Sequence, residues 1–187
     1  MKALVTYMSK TGNTKKVAEA IFDGISDEKD IKPINEVDSI EGYDITFLGF
    51  PIHGGGPDKK EVDLLEKHCI NGRKVVLFIT HAAPENSPEL PSVLDKFKKA
   101  AREADIVDMF DCQGELAKPI KLIMSILPDA KLRQWARQDT SKGQPDKTRL
   151  DRACTFSRNV MNKLYDIDNI LADRQGEKNE DRILSRV

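Results

Sequence analysis

Six consecutive residues near the N-terminus combine chemical groups that are suited to holding an anion. They are Ser9, Lys10, Thr11, Gly12, Asn13 and Thr14. An apolar run at residues 3–8 precedes them and a helical repeat of apolar residues follows, so the pattern predicts a strand, a tight loop and a helix start. Three of the six can donate hydroxyl hydrogen bonds, the glycine permits a tight turn, and free N–H groups at a helix start favour a phosphate. We therefore predict a phosphate site; the alternative is an ordinary helix capped by serine or threonine.

The positions of the glycines narrow the kind of phosphate ligand. No glycine precedes Gly12 in this loop, so the G-x-x-x-x-G-K-[ST] pattern of nucleotide hydrolases is absent. The G-x-G-x-x-G fingerprint of dinucleotide-binding proteins is absent as well. The sequence thus favours a ligand with one phosphate and gives little support to Mg-nucleotide hydrolysis.

Two further loops are rich in small and polar residues, and each contains a histidine. The first follows the strand predicted at residues 45–50 and begins with Pro51, Ile52, His53 and Gly54. The second follows the strand predicted at residues 75–80 and involves Thr80, His81 and Ala82. Ligands of open parallel sheets bind beyond the carboxyl ends of the strands, so we expect all three loops to form one site.

The elements that position these loops alternate between strand and helix patterns. Strands are predicted at residues 3–8, 31–37, 45–50, 75–80 and 106–110, the second being more polar and suited to an edge. Five strands separated by helices predict an α/β fold with helices on both faces of a parallel sheet. A long helix closes the domain. Residues 167–187 form a charged tail whose composition favours disorder over a solvated helix.

Several motifs resemble those of the flavodoxin family. The stretch "SKTGNT" is similar to the family's phosphate loop, [ST]-x-T-G-x-T, and "GFPIHGGGP", "THAAPE", "DCQGE" and "GQPDKTRLDRA" are similar to other family sequences. The resemblance covers residues 1–166, with an insertion at about 115–145. It implies a flavodoxin-like three-layer α/β/α sandwich with a five-stranded parallel sheet in the order 2-1-3-4-5.

The resemblance also implies FMN as the cofactor. Residues 9–14 would cradle its phosphate, and residues 51–54 and 80–82 would flank the isoalloxazine ring. In the family, a carbonyl of the first ring loop turns to accept a hydrogen bond from the protonated nitrogen of the reduced flavin, and the glycines at positions 54–56 would permit that turn. The alternative is a flexible glycine turn without a redox role.

The sequence departs from simple electron carriers of that family in two ways. Neither ring loop contains an aromatic residue, and the formal net charge is only -1, whereas many family members are strongly acidic. His53 and His81 could occupy the stacking or hydrogen-bonding places, although structural roles in the loops are equally compatible with the pattern. His68, in a helical stretch, is expected at the surface. Cys112 is expected to be a packed thiol.

Residues 120–127 form an apolar cluster inside the insertion, which also contains the single tryptophan, Trp135. One interpretation is a helix packed against the sheet. The other is an apolar surface beside the flavin that docks a partner or encloses an organic substrate.

The nearly balanced charge argues against binding to nucleic acid, and no apolar run is long enough to span a membrane. Three widely spaced cysteines without a C-x-x-C motif indicate reduced thiols, so we expect a cytoplasmic protein. The leading hypothesis is an FMN protein that passes electrons between redox partners, either proteins or small-molecule donors and acceptors. The alternative is an FMN-dependent NAD(P)H reductase acting on a small organic substrate or quinone. A third is a module that keeps the fold without flavin.

Overall fold

The computed structural model of the chain describes residues 1–184, with side chains described as far as residue 170. The strands are β1 (Lys2–Tyr7), β2 (Glu28–Pro33), β3 (Ile45–Pro51), β4 (Lys74–His81) and β5 (Asp105–Gln113). They pair in parallel in the order β2-β1-β3-β4-β5. This confirms the predicted five-stranded parallel sheet and its strand order.

Helices cover both faces of the sheet and complete three layers. Within the described residues they are α1 (Asn13–Gly24), α2 (Lys59–His68), α3 (Leu90–Ala100), α4 (Lys118–Ile126), α5 (Ala130–Arg137) and α6 (Lys147–Leu184). One apolar cluster joins α1 and α6 to one sheet face, and a second joins α2 and α3 to the other. Strands β3 and β4 are buried on both faces, which is why their sequences are continuous apolar runs.

The second strand lies earlier in the sequence than predicted. The pattern placed it at residues 31–37, but β2 ends at Pro33 and a short 3-10 helix, Ile34–Glu36, follows. Pro33 has no N–H with which to extend the ladder. Ile34 and Val37, which suggested the strand, are buried in two separate apolar clusters instead. The predicted edge position is confirmed, because β2 pairs with β1 alone.

Two further expectations need correction. His68 is not at the surface: it is buried three residues after Leu65 on α2, and the two side chains share the inward face of that helix. Burial lowers the pKa of His68, which favours the neutral imidazole. The composition of residues 167–187 favoured disorder over a solvated helix, but α6 continues past Asp168 as far as Leu184; residues 185–187 of that tail lie outside the described residues.

A close approach between β3 and β4 sets the position of the loops that follow them. Gly49 lies opposite Phe78 in the ladder, and a Cβ atom at position 49 would lie 2.1 Å from the phenyl ring. The ring therefore occupies the space that a side chain would take. This contact brings Pro51 beside Thr80 at the carboxyl edge.

We predict that Gly49→Ala lowers the free energy of unfolding by about 3 kcal/mol, because overpacking of a rigid core displaces its neighbours. Urea denaturation would measure the loss. In Phe78→Leu, where the ring is gone, the same alanine should cost less than half as much. Equal costs in the two backgrounds would show that Phe78 is not the source of the strain.

Candidate functional site

The loops after β1, β3 and β4 meet at the carboxyl edge of the sheet. The direction of strand order reverses between β1 and β3, the position at which open α/β sheets bind ligands. Backbone hydrogen bonds hold the edge together: Met8 N donates to Gly49 O at 2.8 Å, and Ile52 N donates to Thr80 O at 2.8 Å. The structure thus brings together the three loops that the sequence singled out, called here the 9–14, 51–57 and 80–86 loops.

The 9–14 loop leaves the start of α1 open. Gly12 adopts φ 91° and ψ -10°, a left-handed conformation that favours glycine. Its N–H donates to Ser9 Oγ at 3.1 Å, which closes the loop on itself. No side chain caps α1, so the N–H groups of its first turn have no side-chain partner. The alternative of an ordinary capped helix does not apply here.

Two residues of this loop have roles that the sequence did not indicate. The buried Thr14 hydroxyl lies 2.8 Å from the Thr80 hydroxyl, so the two share one hydrogen bond that joins α1 to the end of β4. Asn13 Nδ2 donates to Glu115 O at 2.8 Å, which joins the loop to the chain after β5. Both side chains therefore fasten the loop to its neighbours.

These groups fit a phosphate. A 12-residue helix with an uncapped N-terminus provides N–H donors and the positive end of a dipole. The Ser9 hydroxyl accepts from Gly12 and keeps its own proton to donate, and Thr11 and Lys10 are exposed beside it. Nothing lies within 4 Å of the space beside Gly12 where a Cβ atom would project. The loop therefore forms an open cradle.

The 51–57 loop is shaped by glycines. Gly54 and Gly55 have φ values of 69° and 99°, so both occupy the left-handed region that side chains disfavour. The Gly55 carbonyl accepts a hydrogen bond from Lys96 Nζ of α3 at 2.8 Å. Lys96 also approaches Gly56, where a Cβ atom would lie 2.9 Å from its Cδ. An exposed lysine from a different helix thus contacts this loop at one carbonyl.

His81 is held within the protein. Its Nδ1 lies 2.8 Å from Ala83 O and its Nε2 lies 3.1 Å from Asp111 Oδ2. Both partners are oxygen acceptors, so both bonds form together only when both ring nitrogens carry protons. The ring is buried, and both of its nitrogens are engaged within the protein.

The end of β5 supports the 80–86 loop. Gln113 Nε2 donates to Ala82 O at 3.0 Å and to Thr140 Oγ1 at 3.1 Å. Glu85 accepts from Arg149 Nε at 2.8 Å and from Arg152 Nη1 at 2.9 Å, both on α6. Burial would raise the pKa of Glu85, but the hydrogen bond and charge of Arg152, together with Arg149, lower it overall.

His53 faces a buried carboxyl group. The Glu61 side chain is 0% exposed; its Oε2 accepts from Asp58 N at 2.7 Å, while its Oε1 has no hydrogen-bond partner among the described residues. His53 Nε2 lies 4.0 Å from that Oε1. Burial raises the pKa of Glu61 to about 7, although the Asp58 hydrogen bond opposes the rise. Burial and the nearby charge of Lys10 lower the pKa of His53.

Sequence reasoning missed Glu61, Lys96, Asp111 and Gln113. Two signals were available. Asp58 and Glu61 have the spacing of a capping box, and the structure contains both of its hydrogen bonds. Asp111 and Gln113 alternate along β5, so they share one face of that strand. Nothing in the sequence around Lys96 indicated its role, because only the packing of α3 brings it to the 51–57 loop.

The described residues contain no group of three or more His, Cys, Asp or Glu side chains that could hold a metal ion. In the same part of the chain, no helix has the length and apolar character needed to cross a membrane. Cys69 and Cys112 are buried thiols, and burial raises the pKa of each to about 12. The expectation that Cys112 is a packed thiol is confirmed.

Comparisons with known proteins agree with this geometry. The flavodoxin domain family matches residues 4–157. The chain is 37% identical over 174 residues to the flavodoxin-like domain-containing protein BilS of Clostridioides difficile strain CD3, covering 87% of this chain and 98% of that protein. Its fold is similar to that of oxidised Flavodoxin 2 from Bacillus cereus, with a TM-score of 0.55, 22% identity and coverage of 87% and 99%. It is also similar to a flavodoxin from the domain Archaea, with a TM-score of 0.54, 18% identity and coverage of 88% and 99%.

The buried Glu61 carboxyl group should make stability depend on pH. Its pKa is about 7 in the folded chain, against an ordinary value of 4.5, so the folded state holds the proton more tightly. The free energy of unfolding should therefore fall as pH rises between these values, by about 2 kcal/mol.

Glu61→Gln cannot ionise at this position, so its stability should not fall in this way. The free energy of unfolding of the variant, relative to that of wild type, should therefore rise from pH 4.5 to pH 7. Denaturation at several pH values measures it. Glu66→Gln, at an exposed position of the same helix, is the matched control and should leave the pH dependence unchanged. A difference between Glu61→Gln and wild type that does not vary with pH would show that Glu61 ionises as in water.

Proposed function

This chain belongs to the flavodoxin family, and from that premise we propose that it binds FMN and transfers electrons between redox partners through the flavin. The observation that carries the proposal is the uncapped start of α1 behind a glycine and hydroxyl loop, at the switch point of the sheet. When bound, FMN supplies the redox chemistry, and the protein supplies binding, orientation and electrostatics.

The 9–14 loop would bind the phosphate. Backbone N–H groups of the first turn of α1 would donate to phosphate oxygens, as would the hydroxyls of Ser9 and Thr11. The Lys10 ammonium is exposed beside them and adds positive charge. Thr14 and Asn13 would act indirectly, since their side chains hold the loop to Thr80 and Glu115.

The 51–57 and 80–86 loops would flank the flavin ring. They begin at neighbouring positions, because Pro51 lies opposite Thr80 in the β3–β4 ladder. Pro51, Ile52, His53 and Gly54 would contact the ring from one side, and Thr80, His81 and Ala82 from the other. Rotation of the peptide group after Gly54 or Gly55 would let a carbonyl accept a hydrogen bond from an N–H of the ring, and glycine permits such a rotation with little strain. A cytoplasmic location remains a prediction from the sequence.

The cradle is tested by comparing two glycines with the same backbone strain. Gly12→Ala should weaken FMN binding about tenfold or more, because alanine disfavours the left-handed conformation by roughly 1–2 kcal/mol and the loop must shift. Gly42 has φ 86° with open space around it and lies before β3, at the opposite edge of the sheet. Gly42→Ala should lower stability by a similar amount without changing FMN affinity.

Titration of FMN fluorescence gives the dissociation constants. Equal weakening in both variants would place the phosphate elsewhere. A wild-type chain that is purified colourless and does not bind added FMN would contradict the proposal as a whole and favour a module that keeps the fold without flavin.

A second candidate is an FMN-dependent NAD(P)H reductase acting on a small organic substrate or quinone. The observation in its favour is that neither loop places an aromatic ring over the proposed flavin position, which would leave one ring face open to a nicotinamide. We expect the carrier function instead, so the FMN-loaded chain should consume NADPH or NADH no faster than free FMN does. Absorbance at about 340 nm, where reduced nicotinamides absorb, follows the consumption of NADPH or NADH. Steady turnover with a quinone present would favour the reductase.

A further inference from the structure

An exposed apolar surface covers the helical hairpin formed by α4 and α5. Its large side chains are Ile120, Leu122, Ile123, Ile126, Leu132 and Trp135. They are six of the ten exposed large hydrophobic residues in the described part of the chain, so the exposure is concentrated on this one feature. Leu122 is 65% exposed and Ile126 is 75% exposed. Exposed apolar side chains gathered on one feature in this way usually mark an interaction site. We call it the apolar hairpin surface.

The hairpin is stabilised by contacts that do not involve these exposed side chains. Its helices pack on each other around Met124 and Ala136, which are buried. Arg133 Nη1 donates to Leu127 O and to Pro128 O, each at 2.6 Å, and fixes the turn. Asp129 caps α5 by accepting from the N–H groups of Lys131 and Leu132. The apolar hairpin surface is therefore free for another molecule while the hairpin itself remains folded.

The hairpin emerges beside the 9–14 loop. Its entry is tied to that loop by the hydrogen bond from Asn13 Nδ2 to Glu115 O at 2.8 Å. Leu116 N donates to Ser141 Oγ at 2.8 Å and joins entry to exit. Gln113, which supports the 80–86 loop, also donates to Thr140 at the exit. A molecule on the apolar hairpin surface would thus lie next to the carboxyl edge of the sheet.

Positive charge surrounds this surface. Residues 115–145 contain six basic and three acidic side chains, a net charge of +3 in a chain whose total is -1. All three acids are used internally: Asp129 caps α5, Asp139 pairs with Lys121 at 2.7 Å, and Glu115 Oε2 accepts from Gly143 N at 3.1 Å. Among the described residues, no carboxylate lies within 4.0 Å of Lys118, Lys131 or Arg137. These cations are exposed and lack an ionic partner within that part of the chain.

We propose that the apolar hairpin surface docks the redox partner protein, and that the matching surface of that partner is apolar and edged with carboxylates. The inference rests on the proposed function, because an electron-transfer protein must let its partner approach the flavin edge. An apolar centre with complementary charges at its rim is the usual arrangement of a transient interface. The opposite charges would speed the encounter, and the apolar contact would hold the complex.

The other occupants fit less well. A second copy of the chain docked through the same surface would bring the positive side chains of both copies, Lys118, Lys131 and Arg137, to one interface, and like charges oppose each other. An anionic membrane would satisfy the charges, but it would cover the edge beside the flavin and obstruct a protein partner there. A partner protein edged with carboxylates would match the positive charge of the surface and would also lie beside the carboxyl edge of the sheet.

The test compares a protein and a small molecule as electron donors to the FMN-loaded full chain. Reduced plant-type [2Fe–2S] ferredoxin is the acidic protein probe, and dithionite is the small one. Each productive encounter passes one electron from the ferredoxin cluster to the flavin, so two ferredoxins reduce one flavin fully and the protons come from solvent. Stopped-flow absorbance of the flavin gives the second-order rate constants.

The double variant Leu122→Ser, Ile126→Ser should lower the ferredoxin rate constant about tenfold or more, because exposed anchors dominate such contacts. Its dithionite rate should remain within about twofold of wild type, since a small reductant needs no docking surface. Both side chains are exposed, so the fold should persist. Ile70→Ser, at a 40% exposed position after α2, is the matched control and should change neither rate. Lys131→Gln with Arg137→Gln should slow the ferredoxin reaction at low salt and flatten its salt dependence.

Unchanged ferredoxin rates in both hairpin variants would overturn the docking proposal while leaving the FMN carrier intact. Failure of wild type to accept electrons from either donor would instead overturn the proposed function. Vesicles of phosphatidylserine and phosphatidylcholine provide a separate check: flotation of wild type with them, lost in the serine variant, would assign the surface to a membrane. Dimers of wild type in sedimentation, dissociated by the same variant, would assign it to a second copy.

Discussion

The unsatisfied N–H groups at the start of α1 are the constraint on which the carboxyl edge depends. A helix cannot satisfy its first N–H groups internally, and no side chain caps this one. The Ser9 oxygen accepts from Gly12, and the Thr14 hydroxyl is shared with Thr80, so both hydroxyls hold the loop instead of closing the helix. The helix start therefore stays open to an anion, and β1 places it where the strand order reverses.

The groups around that opening are fixed by contacts of different strength. The 80–86 loop is held by Asp111, Gln113 and two arginines of α6, which together satisfy its buried polar groups. The 51–57 loop is held by an exposed lysine and contains two glycines in the left-handed region, so it has fewer constraints. Beneath it, the unpartnered Glu61 oxygen is a cost in stability that the rest of the core offsets. One loop is thus rigid and the other is able to change its backbone conformation.

Apolar helix faces are buried where the sheet has a free face to cover and stay exposed where it has none. The helices α1, α2, α3 and α6 bury their apolar faces against the sheet, which has a face for each pair. When α4 and α5 form their hairpin, both faces of the sheet are already covered, so their apolar side chains remain exposed. The same segment carries the positive charge that the rest of the chain offsets. The candidate site at the edge and the exposed apolar surface beside it are therefore built from different parts of the chain.

Periodicity alone was sufficient for the parallel sheet, and the resemblance for its strand order, because buried parallel strands read as unbroken apolar runs and crossover helices as amphipathic repeats. The 9–14 loop was also visible, since its chemistry is local. The start of β2, the burial of His68 and the Lys96 contact were not, because each depends on which element packs against it. The exposure of residues 120–127 was left open between a helix packed against the sheet and an apolar surface for the same reason. Local composition determines which groups the chain can offer, whereas the packing of distant elements decides which of them are buried, paired or left open to a ligand.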